Sequence, residues 1–449
     1  MAESIEFLYS TPAMAAAFSL DAHVRGMLSF EAALAHAESR AGIIPQKAAE
    51  AIAARCKVEL FDVAALYREA VLAGTPAIPL VRMLTARVEG DAQKFVHWGA
   101  TSQDAIDTAL MLQIRDGLDL LIAKLLEICA ACAKLAELHR HTPMVGRTLL
   151  QQALPITFGL KAARWLALAI RLLSELRERR ERSLAVQLGG AAGTLASLGD
   201  KGLQVVELLA DELKLPIPDL PWHTERDRVA QIAATLGIVA GAMSKIASDV
   251  ALLAQTEVGE VMEGAAEGKG SSSAMPQKHN PVDATSAIAA ARLAVGVVPV
   301  ILSAMTQEHE RAVGGWQAEW AAIPNLFCYT SGAIEGVRGA VTGLQIDATR
   351  MKINLDLTGG LVMAESLTIA LAPHMGRPEA YRIVQALCKH VTSVGENLQQ
   401  VALADERVRA ALSPEEIDRA LDPMAYMGSA DVFIDRALAA YNELRLISI

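Results

Sequence analysis

Apolar side chains recur at three- and four-residue spacing along much of this chain. Between residues 109 and 140, Leu110, Ile114, Leu118 and Leu121 follow that spacing without an intervening proline. Residues three and four apart share one face of an α-helix, so the pattern predicts a helix with a continuous apolar face. Ala and Leu dominate and β-branched runs are scarce, which favours helix over strand. The same pattern predicts long helices over residues 158–187, 228–262 and 282–306.

The predicted long helices are unusually apolar for their length. Each spans about 25 to 35 residues, against a mean of about 12 in globular proteins. A single bundle would not need so much apolar surface, so we expect helices from several subunits to pack together. The sequence therefore predicts an all-α fold with a central bundle of long helices.

Turn-forming residues separate the predicted helices. Clusters of such residues lie at 189–199, 215–222, 263–281 and 358–360. None is long or polar enough to be a flexible interdomain linker. We predict three helical domains, namely an N-terminal domain over residues 1–110, a central long-helix domain over 111–345, and a C-terminal domain over 346–449. The central domain contains a mobile loop at residues 264–281.

Composition and charge exclude several classes of protein. The 449 residues are 52% hydrophobic and 20% charged, which excludes intrinsic disorder. Aromatic residues make up 4% and the net charge is −10, so the chain is poorly suited to base stacking or to binding a phosphate backbone. We expect no nucleic-acid partner.

The mean hydropathy of +0.29 raises the question of a membrane location. The longest apolar run, near residues 293–305, is shorter than the ~18–20 residues of a membrane span and contains Pro299, a predicted kink. The chain starts without a basic segment followed by an apolar one, and its five cysteines are scattered and odd in number. We expect a cytoplasmic protein with no membrane partner.

One loop is unusual in its chemistry. Residues 268–281 read GKGSSSAMPQKHNP and join two predicted long helices. A loop rich in Gly and Ser is mobile and can close over a ligand, where Lys278 and Asn280 could bind a carboxylate and a serine could exchange a proton. A solvated surface loop is the alternative. The combination of hydroxyls, proline, lysine and asparagine is hard to explain that way.

A second polar segment precedes a predicted long helix. HWGATSQD at residues 97–104 places Thr101 and Ser102 before the helix and Asp104 in its first turn. Taken alone, this is more simply interpreted as an N-cap. Helix N-termini also bind anions, so the two interpretations are compatible.

Two more segments carry polar side chains in similar settings. GRTLLQ at residues 146–151 places Arg147 and Thr148 ahead of a long helix. QEHERAVGGWQAEW at residues 307–320 is dense in charged and aromatic side chains. Taken alone, the second of these is typical of a solvated turn.

Metal and nucleotide sites have weak support in the sequence. Cys129 and Cys132 have the spacing of zinc ligands but no second pair, and His139 and His141 lack the glutamate of a metalloprotease motif. Neither a G-x-S-x-G elbow nor a G-x-x-x-x-G-K-[ST] phosphate-binding loop occurs. We expect no metal and no cofactor.

Taken together, these segments resemble the fumarase/aspartase superfamily. Its signature G-S-S-x-x-P-x-K-x-N is matched by Ser272, Ser273, Pro276, Lys278 and Asn280, with Ser271 where the signature Gly usually stands. TSQD, GRT and GGAAGT precede it in the order found in the superfamily. The resemblance implies an L-aspartase-like all-α fold and a homotetramer with a core of about twenty helices. It also implies active sites that are assembled from three subunits without a metal.

The resemblance also implies a chemistry. Members of the superfamily add to, or eliminate across, a C–C bond next to a carboxylate, through an enediolate-like intermediate. Ser272 is then the expected catalytic acid or base. The residues expected to bind the substrate's carboxylates or shape its pocket are His97, Thr101, Ser102, Arg147, Thr148, Gln151, Ser273, Lys278, Asn280, Arg311, Trp316 and Trp320.

Departures from adenylosuccinate lyases indicate which branch the chain resembles. Leu149 and Thr285 stand where those lyases carry a catalytic His and its Glu partner, and Trp320 stands in place of a phosphate-binding Arg. The segments AIPLV, HWGATSQD, VGRTLLQ, PWHTERDR and QEHER…WQAEW instead resemble the branch that lactonizes carboxymuconates. That resemblance implies a small polycarboxylate substrate, 3-carboxy-cis,cis-muconate, which closes to 4-carboxymuconolactone.

Two other functions stay open at this point. One is a C–N lyase of the adenylosuccinate type, and the other is a catalytically silent protein on the same scaffold, which the intact signature loop disfavours. Leu149 replaces an expected Trp, and Ser271 and Asp283 replace glycines that flank the loop. The exact muconate substituent is therefore open.

Overall fold

The computed structural model describes residues 5–447 of the chain. Within them it contains eighteen α-helices and four short β-strands, which confirms the predicted all-α class. The N-terminal helices are α1 (Pro12–Ala17), α2 (Leu20–Arg40), α3 (Gln46–Arg55), α4 (Val63–Ala73) and α5 (Ala77–Thr85).

The long helices follow, interrupted by one shorter helix and by a hairpin. They are α6 (Ser102–Leu138), α7 (Phe158–Arg182), the shorter α8 (Gly202–Leu213), α9 (Asp227–Leu253), α10 (Val282–Ser303) and α11 (Gly315–Thr342). The strands are β1 (Pro143–Thr148), β2 (Gln151–Thr157), β3 (Val261–Met262) and β4 (Gln345–Ile346). The chain closes with α12 (Ala348–Asp356), α13 (Ala364–Met375), α14 (Arg377–Val394), α15 (Leu398–Ala404), α16 (Glu406–Arg409), α17 (Pro414–Ala420) and α18 (Ala430–Ile447).

Two boundaries predicted from the sequence were wrong. The helix predicted to reach residue 262 ends at Leu253, because Val261 and Met262 pair with β4 instead. The segment 307–320, interpreted as a turn, contributes its last residues to α11. That helix was missed because Pro324 interrupts its sequence pattern, yet the helix continues through it.

The chain divides into two compact units. Unit 1 consists of the residues up to Leu125, Leu172–Lys245 and Ser286–Gly336. Unit 2 consists of Leu126–Arg171, Ile246–Thr285 and the residues from Val337 onward. Both units therefore contain segments of the long helices. The three-domain division along the sequence stays a prediction.

Unit 1 is held by close helix contacts between α2, α6 and α11. A Cβ on Gly26 of α2 would lie 2.9 Å from the Cβ of Ala109, so only glycine permits this approach to α6. The rings of Phe18 and Phe327 stack with their centroids 4.7 Å apart. This packing holds α6 in place, and the predicted site residue Ser102 begins that helix.

Unit 2 contains the hairpin formed by β1 and β2. The two strands are antiparallel, with a bulge between Val145 and Arg147. A Cβ on Gly146 would lie 2.9 Å from the carbonyl oxygen of Leu154, so glycine is required at the bulge. Arg147 and Thr148 therefore end a strand, and do not directly precede a helix as the sequence suggested.

The C-terminal part of unit 2 has its own apolar core. Leu367 and Leu371 of α13 pack with Ile383 and Leu387 of α14 and with helices further along the chain. A smaller apolar cluster consists of Val145 on the hairpin together with Leu355, Val362 and Met363. It packs the hairpin against residues much further along the chain, also in unit 2.

Several long-helix faces carry exposed apolar side chains. Ile238 of α9 is 65% exposed, and Leu293, Val295 and Val300 of α10 are 40–46% exposed. By length and composition alone, α9 and α10 could cross a membrane, and a bent pair of C-terminal helices would add a third span. Only 28% of the most apolar stretch of α10 is buried within the chain. These faces need a further apolar partner.

Candidate active site

One buried carboxylate joins three separate segments of unit 1. Asp104, in the first turn of α6, is fully buried. Its oxygens accept hydrogen bonds from the backbone N–H groups of Thr101 (2.9 Å), Gly189 (3.0 Å) and Gly190 (3.0 Å). Nε2 of His223 lies 2.7 Å from Oδ1 of the same carboxylate. Asp104 therefore fixes the segment before α6 against the GGAAGT and PWHT segments.

A second carboxylate, one turn further along α6, belongs to a buried ionic network. Asp107 pairs with Arg226 through two bonds of 2.8 and 3.1 Å. Glu319 of α11 pairs with the same guanidinium at 2.5 and 3.0 Å. All three side chains are at most 1% exposed.

The electrostatics of this network follow from its burial. Burial alone would lower the pKa of Arg226, but the charges of Asp107 and Glu319 more than offset it and raise the pKa overall. Burial raises the pKa of Glu319 despite the arginine beside it. The positive charge of Arg226 is therefore neutralised by carboxylates of the protein itself.

Two tryptophans complete the network. Trp316 donates from Nε1 to Oδ1 of Asp107 at 3.0 Å. Trp320 packs edge-on against Trp316, with ring centroids 4.8 Å apart. Nε1 of Trp320 is buried and has no hydrogen-bond partner among residues 5–447.

Arg311 is held differently from Arg226. Its Nε donates to Oε1 of Gln103 at 3.2 Å, and Gln103 in turn donates to Asp107 and to the carbonyl oxygen of His223. Nη2 of Arg311 is buried without an acceptor in the described part of the chain. An unpaired buried donor on a cation is costly, about 1–3 kcal/mol or more. This nitrogen is therefore suited to a carboxylate supplied by a ligand.

The segment before α6 contributes the remaining candidates in unit 1. The side chains of Thr101 and Ser102 are half-buried. His97 is held by Glu31, whose Oε1 lies 2.6 Å from Nδ1 of the imidazole. The segment thus presents two hydroxyls and an imidazole at the N-terminal end of α6, where the helix dipole favours anions.

In unit 2, Arg147 is already paired. Its guanidinium makes two bonds, of 2.7 and 2.9 Å, to the fully buried carboxylate of Glu260. Asn354 donates to the same carboxylate at 2.8 Å. Arg147 therefore anchors the hairpin within unit 2, and its predicted contact with substrate stays a prediction.

The tip of the hairpin is strained and exposed. Leu149 and Leu150 have φ values of 50° and 63°, and their side chains are 97% and 74% exposed. A left-handed conformation costs a residue with a side chain roughly 1–2 kcal/mol. Thr148 and Gln151, which flank the two leucines, are also exposed. Strain of this kind in an exposed apolar tip is typical of a functional contact.

The signature loop lies between β3 and α10. Oγ of Ser272 accepts from the backbone N–H groups of Ala274 and Met275 at 3.3 and 3.1 Å. Asn280 donates to the carbonyl oxygen of Gly270 through its backbone and its side chain, at 2.9 and 3.2 Å. Lys278 is exposed, as is Ser273. The ammonium of Lys278 and the hydroxyl of Ser273 are therefore open to a ligand.

The base of this loop is held by an ionic cluster. The carboxylate of Glu263 accepts from the N–H groups of Asp283 and Ala284 and thereby caps α10. Nζ of Lys269 lies 2.5 Å from Oδ2 of Asp283. Asp283, which replaces an expected glycine, thus ties the two ends of the loop together.

Comparison with known proteins now decides the family. Residues 6–296 match the family described as Lyase. The chain belongs to this family, the fumarase/aspartase superfamily. Within the superfamily, residues 360–437 also match the C-terminal region described as Adenylosuccinate lyase C-terminus. The resemblance inferred from the sequence is confirmed, and so is the fold.

Two curated relatives and one crystal structure are similar to nearly the whole chain. The chain is 49% identical to a 3-carboxy-cis,cis-muconate cycloisomerase of Bradyrhizobium diazoefficiens, with 96% of each chain covered. It is 47% identical to the protein of that name from Pseudomonas aeruginosa, over 96% of this chain and 95% of the relative. The crystal structure of the 3-carboxy-cis,cis-muconate lactonizing enzyme from Pseudomonas putida matches with a TM-score of 0.92 at 44% identity, covering 98% of both chains.

The predicted site residues of this superfamily member fall into two groups. Around the start of α6 in unit 1 lie His97, Thr101, Ser102, Arg311, Trp316 and Trp320. In unit 2 lie Arg147, Thr148 and Gln151 on the hairpin and Ser272, Ser273, Lys278 and Asn280 in the loop. Their joint role at one active site stays a prediction.

Sequence reasoning missed the residues that support the first group. Gln103 and Asp107 position Arg311 and Trp316, while Arg226 and Glu319 hold Asp107. One signal was present, because Asp104 and Asp107 lie on one face of an otherwise apolar helical stretch. Buried charges of this kind require partners.

We expect Arg226→Met to destabilise the protein by about 3–5 kcal/mol, because it leaves Asp107 and Glu319 buried without a counter-charge. Denaturant unfolding measures this change. Arg182→Met is the control, since Arg182 is 76% exposed and pairs only with Glu178 on the surface of α7. Its loss should cost less than about 1 kcal/mol. Equal effects of the two substitutions would contradict the network's importance.

Proposed function

We propose that this protein is a 3-carboxy-cis,cis-muconate cycloisomerase. It closes its substrate to 4-carboxymuconolactone in the protocatechuate branch of aromatic (β-ketoadipate) catabolism. The observation that carries the proposal is the 49% identity to a cycloisomerase over 96% of both chains. The unpaired donors near the start of α6 are chemically consistent with a substrate that carries several carboxylates.

The reaction requires few catalytic groups from the protein. One carboxylate oxygen of the substrate adds to the alkene carbon β to another carboxylate, and the negative charge passes into that carboxylate as an enediolate-like group. The carbon between the attacked alkene carbon and that carboxylate then takes up a proton. The nucleophile belongs to the substrate and no group leaves, so the His–Glu pair replaced by Leu149 and Thr285 is not required. The protein must hold a flexible tricarboxylate and transfer one proton.

Ser272 is the proposed acid or base at the protonated carbon. Its signature loop carries Lys278 and Asn280, which together with Ser273 bind carboxylate oxygens as the loop closes. The backbone N–H groups that Oγ of Ser272 accepts from stabilise a negatively charged oxygen, which favours proton exchange at this serine.

Hydrogen-bond donors of unit 1, one of them on a cation, bind the substrate and stabilise the intermediate. Arg311 supplies an unpaired N–H on a fixed guanidinium. Thr101 and Ser102 add hydroxyl donors at a helix N-terminus. Trp320 supplies an indole N–H and, with Trp316, an apolar wall. Developing negative charge is stabilised most by donors that are already in place.

The active sites are shared within a homotetramer, in which copies of the chain contribute the two groups of site residues. Support comes from the exposed apolar faces of α9 and α10, which a bundle of helices from several subunits would bury. The exposed leucines at the hairpin tip support it independently. A cytoplasmic location agrees with the absence of a disulfide bond among the five cysteines, all of which lie within residues 5–447.

The function is tested by mixing the purified protein with 3-carboxy-cis,cis-muconate and following the loss of ultraviolet absorbance. Adenylosuccinate is assayed in parallel. Turnover of the muconate alone supports the proposal. Turnover of adenylosuccinate alone would establish a C–N lyase instead, and activity on neither would favour an altered muconate or a silent scaffold.

We expect Ser272→Ala to lower kcat by about 10²–10⁴-fold, the usual contribution of a general acid or base. Ser271→Gly is the matched control, because within residues 5–447 its hydroxyl donates only to the carbonyl oxygen of Gly268, and the signature carries Gly there. Steady-state assays with the muconate measure both. Unchanged activity in Ser272→Ala would refute the assignment.

We expect Arg311→Met to raise KM by roughly 10- to 100-fold, since a hydrogen bond to a charged group contributes about 1.5–3 kcal/mol. The free energy of unfolding should change little, because Arg311 is not paired with a buried carboxylate. Arg147→Met should instead lower stability, because it strands Glu260. A normal KM in Arg311→Met would contradict the proposed contact.

Light scattering of the full-length protein should give a mass of four 47.7 kDa chains. Replacing Val295 and Val300 of α10 with Asp should dissociate the assembly, because it puts charges on the apolar face that the tetramer buries. A stable monomer in the unmodified protein would contradict the shared site.

A further inference from the structure

The imidazole of His97 is held by a buried carboxylate. Oε1 of Glu31, on α2, lies 2.6 Å from Nδ1 of His97. The side chain of Glu31 is 1% exposed and that of His97 is 16% exposed. A carboxylate at this distance accepts the Nδ1–H, which fixes both the protonated nitrogen and the orientation of the ring.

This arrangement leaves the other ring nitrogen for a ligand. Nε2 of His97 has no hydrogen-bond partner among residues 5–447. The backbone of His97 is left-handed, with φ of 59°, a conformation that costs roughly 1–2 kcal/mol. His97 also belongs to the segment that Asp104 fixes in front of α6. The backbone of His97 is therefore strained in the conformation that holds its imidazole ring in place.

The charges around His97 favour its cationic form. Burial alone would lower the pKa of His97, but the charge and hydrogen bond of Glu31, helped by the charge of Asp104, raise it overall. The other titratable groups facing Glu31 are Glu38 and Cys56. Burial, then the charge of Glu31, raises the pKa of Glu38 to about 9, so Glu38 is neutral at pH 7. The same causes raise the pKa of the Cys56 thiol, which is also neutral.

We infer that Glu31 is a positioning residue that holds His97 as an imidazolium, whose Nε2–H binds a carboxylate of the substrate. The inference rests on the proposed function and deepens it, because it adds the imidazolium of His97 to Arg311 as a second cation of unit 1 that can bind a carboxylate of the substrate. Glu31 itself does not touch the substrate and acts through the orientation and charge of His97.

The pH dependence follows from the sign of this coupling. His97 is cationic below its raised pKa, so its contribution to binding is present below that value and is lost as the pH rises through it. Glu31→Gln keeps the shape of the side chain and an oxygen acceptor but removes the charge. Burial then lowers the pKa of His97 with only the charge of Asp104 opposing it, so the alkaline limb of kcat/KM should move to lower pH.

The first experiment compares pH profiles of kcat/KM for 3-carboxy-cis,cis-muconate in the full-length protein. Glu31→Gln should lose about tenfold or more at pH 8, as expected for a lost charged hydrogen bond, and the loss should become smaller as the pH falls. Glu38→Gln is the matched control, because Glu38 is equally buried on α2 but uncharged. Its profile should not move. An equal loss at every pH in Glu31→Gln would indicate a merely structural role and overturn the inference.

A second experiment does not depend on turnover. Calorimetry of propane-1,2,3-tricarboxylate binding, in buffers of different ionisation enthalpy at pH 7.5, measures proton uptake. The unmodified protein should take up fewer protons at His97 than Glu31→Gln, which should take up as much as about one proton per site. Adding His97→Asn to Glu31→Gln should abolish that uptake.

The two experiments separate the inference from the proposed function. If the protein does not turn over the muconate but shows this pattern of proton uptake, the proposed function is refuted. The inferred role of Glu31 in holding His97 would then still stand. Equal proton uptake in the unmodified protein and Glu31→Gln would overturn the inference, as would failure of the unmodified protein to bind the tricarboxylate. Glu31→Asp, which keeps the carboxylate, should restore part of the alkaline activity if Glu31→Gln folds poorly.

Discussion

Two buried carboxylates on the first two turns of α6 organise the candidate site of unit 1. Asp104 binds backbone N–H groups of separate segments, and Asp107 binds Arg226 and Trp316. A buried carboxylate left without donors would be very costly, so each segment that supplies a donor is held firmly in place. His97 and Arg311 derive their positions from this arrangement, because the first lies in the segment tied by Asp104 and the second is held by Gln103 beside Asp107.

The cationic side chains discussed above are of two kinds. Some pair with carboxylates and stabilise the protein, and others remain available to bind a ligand. Arg226 and Arg147 each pair with buried carboxylates, so their charge is neutralised internally. Arg311 keeps a buried N–H without an acceptor, and Lys278 is exposed on the signature loop. For a chain with a net charge of −10, such local positive charge is what allows a polycarboxylate to approach. The Glu31–His97 pair would add a further cation, because Glu31 raises the pKa of His97.

Two features of the single chain are costly unless another copy covers them. The exposed apolar residues of α9 and α10 lie on helices that are too apolar for a solvated surface, and Leu149 and Leu150 combine strain with almost complete exposure. Both follow naturally if the hairpin tips and the long helices are buried between subunits. The hydrophobic effect then stabilises assembly and supplies the free energy that offsets the strained turn.

The sequence alone determined the helical class and the family, and it predicted the segments that carry chemistry. Long stretches of Ala and Leu at helical spacing can form little else, and the signature loop has an order of residues too specific to arise from a turn. The sequence could not show that Arg147 is neutralised by Glu260, or that Glu31 lies behind His97. Those pairs join residues that are 113 and 66 positions apart. Local pattern carries no information about such partners, because only packing of the folded chain decides which charges are paired and which remain for a ligand.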